Sequence, residues 1–232
     1  MDIAAVLLVV AFGASVHIAL GMGLNLIAIP TLVLINPAYA PGPVLVVSAV
    51  ITAIAMRTMP IELDRRESIS VISGMLIGTA AAIALLATLD TAGFKTAIGV
   101  VIIASVALTV AGSSLPITRA MLTASGGAAG LMGTIAGIHA PPIVVQYQRA
   151  SAKRLRGAIL LIIVAGNIAT IAALALAGRF GVDDIIAAAI LAPAAAVGLW
   201  LGPKLAQRIS AQQLRNAVLA ISAISGALLV IA

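Results

Sequence analysis

Two short stretches of this chain place glycines and hydrogen-bonding side chains inside long apolar runs. Six residues in these stretches could contact a ligand: Gly21, Gly23, Asn25, Thr134, Gly137 and His139. Glycine lets the backbone approach a ligand closely, and asparagine, threonine and histidine can donate hydrogen bonds from their side chains. Histidine can also take up a proton. Because neither stretch contains a carboxylate, this set of donors is suited to binding a small anion.

The same stretches carry residues that interrupt helices. The first runs from Gly21 to Pro30 and the second from Gly133 to Pro142. Proline lacks a backbone N–H, and freed backbone groups at membrane depth are tolerated only where protein or a water-filled cavity satisfies them. We therefore expect two broken helices whose second limbs begin at a mid-membrane cavity. Their free N–H groups and positive dipole ends would converge into an anion site without a fixed charge.

The composition is typical of a membrane protein. The chain has 232 residues, of which 62% are hydrophobic and 9% charged, against about 25% charged in soluble domains. It has no cysteine, which excludes disulfides, thiol catalysis and cysteine-based zinc sites. With two histidines, the sequence predicts no metal centre and no cofactor. The first apolar segment lacks a basic start, so we expect it to be retained.

The two halves of the chain resemble each other. A shift of 112 places Gly21 on Gly133 and Pro30 on Pro142, and a shift of 120 places Gly78 on Gly198. Chance similarity between two aliphatic halves is the alternative interpretation. Repeats that each carry an interrupted apolar segment are a signature of secondary transporters.

The predicted fold is an all-α polytopic membrane protein, a single transmembrane domain with two inverted repeats. Each repeat has a re-entrant helical hairpin and three transmembrane helices. The predicted ranges are 1–116 for the first repeat, with hairpin 3–35 and spans 41–60, 68–89 and 93–112, and 117–232 for the second, with hairpin 118–147 and spans 156–178, 184–203 and 212–232.

The lysines and arginines favour this topology. Eight simple spans would divide the 13 basic residues five to eight between the two sides. Re-entrant hairpins divide them eleven to two, with only Lys95 and Arg179 on the minor side, as the positive-inside rule expects. Both termini would then lie outside. The alternative of eight spans stays open, and the positive charge in short loops is typical of membrane orientation, not nucleic-acid binding.

Other residues lead to weaker expectations. Glycines four apart, such as Gly74 and Gly78, allow close helix packing, which we expect inside the bundle, although a homodimer remains open. We expect His17 to be structural, whereas Asn167 could bond a hairpin carbonyl or a ligand. The chain has no G-x-S-x-G or H-E-x-x-H motif and no paired mid-membrane acids, so we predict no enzymatic activity.

The two interrupted stretches resemble those of the TauE/SafE family of small bacterial anion permeases, also called sulfite exporters. The first copy reads GMGLNLIAIPTLVL and the second GLMGTIAGIHAPPIVV. The chain departs from the family's triple glycine at Gly23-Leu24-Asn25 and Gly137-Ile138-His139. The resemblance implies multi-pass insertion in the bacterial inner membrane and transport of sulfite or a sulfonate such as sulfoacetate.

The leading hypothesis is a secondary transporter, acting as an exporter of a small sulfur-containing anion by alternating access. The partners would be this anion and the lipid bilayer. A permease of the same fold for another small solute, and a non-transporting membrane scaffold, are the two alternatives.

Overall fold

The computed structural model describes residues 3–111 and 115–231, except for the side chains of residues 91 and 92. Every regular element in these ranges is a helix. A 3-10 turn at Pro37–Tyr39 precedes the third α-helix. The α-helices are α1 Ile3–Leu20, α2 Leu24–Ile35, α3 Gly42–Thr58, α4 Arg65–Leu86, α5 Thr91–Val110, α6 Arg119–Ala136, α7 Ala140–Tyr147, α8 Ala152–Leu176, α9 Val182–Arg208 and α10 Ala211–Ile231.

Most of these helices could cross a bilayer. In the described ranges seven are long and apolar enough by length and composition: α1, α3 with its preceding turn, α4, α5, α8, α9 and α10. Large aliphatic side chains also remain on the outside, among them Leu8 at 70% and Leu176 at 91% exposure, as expected where lipid is the solvent. The prediction of an all-α polytopic membrane protein is therefore confirmed.

Both predicted helix interruptions are present, and both are shorter than the sequence suggested. The first covers only Gly21–Gly23, so Pro30 lies inside α2. Proline at this position leaves the Leu26 carbonyl without its helical donor. Ser222 of α10 supplies the missing donor, with its Oγ 2.9 Å from the Leu26 oxygen. A side chain from a distant helix thus lets α2 continue through the proline.

The second interruption covers Gly137–His139, and α7 begins at Ala140. Pro141 and Pro142 therefore lie in the first turn of α7, where backbone N–H groups have no intrahelical acceptor in any case. The two prolines help to start this helix and do not break it.

The chain reverses direction at each interruption. A Cβ atom on Gly13 of α1 would lie 3.0 Å from Leu24 Cδ1, and one on Gly23 would lie 2.8 Å from Val16 Cγ1. Helix α2 therefore folds back along α1. In the second half, His139 lies against Gly133 of α6. The structure thus contains two helical hairpins, α1–α2 and α6–α7.

Glycines bring two helix pairs into backbone contact. A Cβ atom on Gly74 or Gly78 of α4 would overlap the carbonyls of Thr123 and Gly127 of α6. Residue numbers rise together along the two helices, so α4 and α6 run parallel. Helix α9 packs against α1 in the same way, with Gly198 beside Ala11 and Ala14 and Gly202 beside Ser15 and Ile18. These glycines lie inside the bundle.

Two further pairs run antiparallel. Gly99 of α5 lies beside Gly226 of α10, and the Arg215 side chain donates to the Thr109 carbonyl. In the α3–α8 pair, the segment after α3 meets the start of α8, where the Glu62 N–H donates to the Lys153 carbonyl at 3.1 Å. Exchanging the two halves of the chain converts α1–α9 into α6–α4 and leaves the α5–α10 and α3–α8 pairs unchanged.

We call one end of the bundle the basic end. This end contains the segments 59–64, 115–118, 148–151 and 209–210. Hydrogen bonds link these segments to one another or to the ends of adjacent helices. Within the described ranges, all lysines and arginines except Lys95 and Arg179 lie at or near this end. Arg179 lies at the other end, where it donates to the Leu86 carbonyl.

The α4–α6 contact can be tested with two adjacent glycines of α6. A Cβ atom on Gly126 would overlap the Val71 carbonyl, whereas one on Gly127 would meet only the Gly74 oxygen at 3.6 Å. We expect Gly126→Ala to lower the free energy of unfolding by about 1–3 kcal/mol through overpacking, and Gly127→Ala to leave it nearly unchanged. Thermal unfolding in detergent measures both; equal melting temperatures for the two variants would contradict this packing.

Candidate functional site

A hydrogen bond joins the two helix interruptions. Asn25, in the first turn of α2, donates from Nδ2 to the carbonyl oxygen of Gly137 at 2.7 Å, in a buried position. This carbonyl has no helical donor because Gly137 lies in the interruption, after the end of α6 and before the start of α7. Gly137 has φ 70°, a left-handed conformation that favours glycine. The second hairpin thus offers a backbone carbonyl, and a side chain of the first hairpin donates a hydrogen bond to it.

Helix α8 adds two polar side chains to this contact. Asn167 Oδ1 lies 3.4 Å from Asn25 Nδ2. Thr170 Oγ1 lies 3.4 Å from both Thr134 Oγ1 and His139 Nε2. We call these five residues the polar cluster. Their side chains are buried, with Asn167 and Thr170 at 0% exposure. Apart from the Asn25–Gly137 bond, the distances are near the upper limit for hydrogen bonds, so the cluster is held loosely.

Three atoms of the polar cluster have no hydrogen-bond partner among the described residues: Asn25 Oδ1, His139 Nδ1 and Asn167 Nδ2. The carbonyls of Gly137 and Gly166 are polar neighbours of the histidine ring but do not satisfy hydrogen-bond geometry with Nδ1. An unsatisfied buried polar group costs about 1–3 kcal/mol. Three of them together are typical of a place that water or a polar ligand fills.

Two glycines hold the His139 ring in place. A Cβ atom on Gly133 of α6 or on Gly166 of α8 would overlap the imidazole. Both helices therefore contact the ring closely because both lack a side chain at this level. The histidine lies at the end of α6, beside α8 and at the start of α7, so it connects three elements of the second half.

A small cavity of about 20 Å³ lies where the hairpins meet. Met22, Gly23 and Asn25 contribute to its wall from the first hairpin, and Gly137 and His139 from the second. A cavity needs roughly 10–15 Å³ on this measure to hold one water molecule. The space therefore fits a single water and not a polyatomic anion.

His17 also lies in the wall of this cavity. Its Nε2 is 2.9 Å from Thr52 Oγ1 of α3, and Thr52 in turn donates to the Ser48 carbonyl. The hydrogen bond to Thr52 fits the structural role that the sequence suggested. Its position in the cavity wall was not anticipated.

The structure brings most of the six sequence-predicted residues together. Gly23, Asn25, Gly137 and His139 line the cavity. Thr134 does not line it, but it lies 3.4 Å from Thr170, which lies 3.4 Å from His139. Gly21 does not line it. Gly21 is buried at the start of the first interruption with φ 81°, and a Cβ atom there would contact nothing within 4 Å.

Sequence reasoning left Asn167 open and missed Thr170. A signal was available, because these are the only polar side chains of α8 between Arg156 and Leu176. They are three residues apart and so share one helix face. Polar residues of a transmembrane helix are by default candidates for a functional role.

The two hairpins differ in the donors that their second limbs offer. At the start of α2, the N–H groups of Leu24, Asn25 and Leu26 have no intrahelical acceptor, and no side chain caps them. At the start of α7, Pro141 and Pro142 have no N–H at all. Of the two helix starts expected to offer free N–H groups, α2 therefore has the fuller set, because two prolines occupy the first turn of α7. The first hairpin supplies backbone donors, and the second supplies mainly His139 and Thr134.

The histidine pocket gives a test by paired substitution. We expect Gly166→Ala to lower the melting temperature, because the new methyl group overlaps the His139 ring. In the double variant with His139→Ala the ring is gone, and we expect most of the loss to be recovered, with a coupling free energy of about 0.5–3 kcal/mol. Thermal unfolding of the four proteins measures it; additive losses would show that Gly166 is needed for another reason.

Comparison with known proteins supports the membrane assignment. The chain matches the family model described as Sulfite exporter TauE/SafE over residues 6–229. No match was found among curated proteins or among solved structures. The matched region contains both hairpins and all ten helices except the first residues of α1 and the last of α10. The chain therefore belongs to the sulfite exporter TauE/SafE family, a family of membrane transporters.

Proposed function

We propose that this protein is a secondary transporter that exports a small sulfur-containing anion, sulfite or an organosulfonate, across the bacterial inner membrane. The observation that carries the proposal is the polar cluster, with three unpaired buried atoms where the tips of the two hairpins meet. Membership of the TauE/SafE family supplies the substrate class. The anion would bind at the cavity between the hairpins.

The donors near the cavity fit an oxyanion. Asn167 Nδ2 has no hydrogen-bond partner among the described residues. The first turn of α2 also has free backbone N–H groups, which lie at the positive end of the helix dipole. Among the residues lining the cavity there is no lysine or arginine. A fixed cation at mid-membrane would be costly and would also bind the anion strongly. Neutral donors can hold an anion and still release it.

The transport mechanism that we propose is alternating access by two inverted repeats, residues 1–116 and 117–232. The helix pairing supports this mechanism. Exchanging the two halves of the chain turns the α1–α9 pair into the α6–α4 pair, and it leaves the antiparallel α5–α10 and α3–α8 pairs unchanged. The Asn25–Gly137 bond also joins residues 112 apart, which is the offset between the repeats. Equivalent positions contact each other directly only near a twofold axis, which would pass through the proposed site.

We infer that a polar lock closes the basic end, which would face the cytoplasm. Tyr147, the last residue of α7, donates to Glu67 Oε2 at 2.9 Å. Arg154 of α8 pairs with the other Glu67 oxygen. Asp64 caps the first turn of α4, and its pKa is lowered chiefly by the hydrogen bond from the Glu67 N–H. The lock thus connects the second hairpin to α4 and α8, and opening this end would require breaking it.

Flux measurements on proteoliposomes test the substrate. We expect the protein to move sulfite, an organosulfonate such as sulfoacetate, or both. Removing a hydrogen bond to a charged group costs about 1.5–3 kcal/mol, so Asn167→Ala, which removes the unpaired Nδ2 donor, should weaken apparent affinity by about 10- to 100-fold.

The control for this assay is Ser73→Ala. Ser73 lies exposed on α4 and bonds only the Ser70 carbonyl, so the variant should transport like the parent protein. If folded parent protein moves neither anion, the proposed substrate class is wrong.

Thiol labelling tests the polar lock. The chain has no cysteine, so Met22→Cys provides a single reporter in the cavity wall without changing the polar cluster. Adding Glu67→Gln should raise the labelling rate from the basic end severalfold, because the ion pair with Arg154 is lost. Asp183→Asn, a charge removal near the opposite end, is the control. An unchanged rate with Glu67→Gln, or the same rise with Asp183→Asn, would exclude the lock.

A further inference from the structure

We propose that a groove between α1 and α9 binds one anionic phospholipid, with an acyl chain along the groove and the headgroup on Lys204 and Arg208. This site is separate from the polar cluster and does not depend on the transported substrate. It concerns the lipid leaflet at the basic end of the bundle.

The groove is large and mainly apolar. Its volume is about 510 Å³, and its apolar walls include Leu8 and Phe12 of α1 and Val197, Leu201 and Leu205 of α9. Leu8 is 70% exposed and Val197 48%. These side chains form a concave surface that an alkyl chain can fill, which buries apolar area on both partners.

Towards the basic end the groove is lined by α9 alone, since the α1 lining stops at Ser15 and the α9 lining continues to Arg208. Gly202 of α9 packs against Ile18, near the last residue of α1 at Leu20. Helix α9 then continues to Arg208, past the point where the first hairpin turns back. The last turn of α9, which carries Arg208, therefore extends past the end of α1, and Lys204 lies level with that end.

The length of the groove matches one leaflet. From Val197 to Arg208 there are 11 helical steps, which is about 16 Å at 1.5 Å per residue. The hydrocarbon core of a bilayer is about 30 Å thick, so one leaflet provides about half of that. An acyl chain that follows α9 from Val197 would therefore reach its headgroup region near Lys204 and Arg208.

The charges at the basic end of the groove favour an anionic headgroup. Lys204 and Arg208 both line the groove, are one turn apart, and no acidic residue lines it with them. Neither makes a salt bridge within the described part of the chain. Lys204 Nζ lies 3.2 Å from the centroid of the exposed Trp200 ring, and tryptophan is enriched at membrane interfaces. A phosphate could contact both cations.

The same charges disfavour a second copy of the chain as the occupant. A twofold dimer places the same surface patch of each subunit against the other. Lys204 and Arg208 of one copy would then lie near those of its partner, and like charges would repel each other. A phospholipid with a net negative headgroup has no such conflict.

Trp200 is the only tryptophan in the chain and lies beside Lys204, so it reports directly on the site. The protein is reconstituted in phosphatidylcholine vesicles that contain brominated phosphatidylglycerol or brominated phosphatidylcholine, and quenching of Trp200 fluorescence is measured. Each cation near a membrane surface contributes about fivefold to binding an anionic lipid. We therefore expect quenching to show a preference of about 30-fold for phosphatidylglycerol.

Two variants and a control make the test decisive. Arg208→Ala keeps the Lys204–Trp200 contact and should reduce the preference about fivefold, and Lys204→Ala with Arg208→Ala should abolish it. Arg57→Ala, a basic residue near the same end that does not line the groove, should leave it unchanged. Equal quenching by both lipids in the parent protein would overturn the proposal. A preference that survives the double substitution, or a dimer that occupies the groove, would also overturn it.

Discussion

The bilayer requires each backbone group freed by a helix interruption to find a partner within the protein or to face a polar cavity. The structure meets this requirement with side chains from distant segments. Ser222 of α10 donates to the Leu26 carbonyl that Pro30 leaves free, and Asn25 donates to the Gly137 carbonyl, which lies between α6 and α7. This pattern, in which a distant side chain bonds a free carbonyl, occurs once in each half. It fixes α10 to the first hairpin and connects the two hairpins at the centre of the bundle.

Close packing of glycine-bearing helices places these donors. Backbone contact between α4 and α6, and between α1 and α9, is allowed only because the facing positions lack side chains. The absence of side chains on Gly133 and Gly166 likewise makes room for the His139 ring between α6 and α8. Close glycine contacts between helices therefore surround a loosely bonded polar cluster.

The two hairpins contribute different chemistry to the shared centre. The first begins its second limb with free N–H groups, and the second begins with two prolines and a histidine. In the site that we propose, a ligand would meet different donors on its two sides, although the surrounding helices pair symmetrically. Asn25 and His139, where the chain departs from the glycine pattern of the interrupted stretches, both lie at this centre.

The sequence by itself determined the helical membrane fold, because an apolar composition allows few other ways to satisfy the backbone in lipid. It also located both interruptions, since glycine readily adopts the positive φ at which a helix ends. Only the tertiary structure decided that α2 continues through Pro30, because the donor that permits this comes from Ser222, 196 residues away. It likewise brought Asn167 and Thr170 to the hairpin tips, since which face of α8 points inward depends on packing against neighbouring helices. The pattern along the chain cannot supply that information.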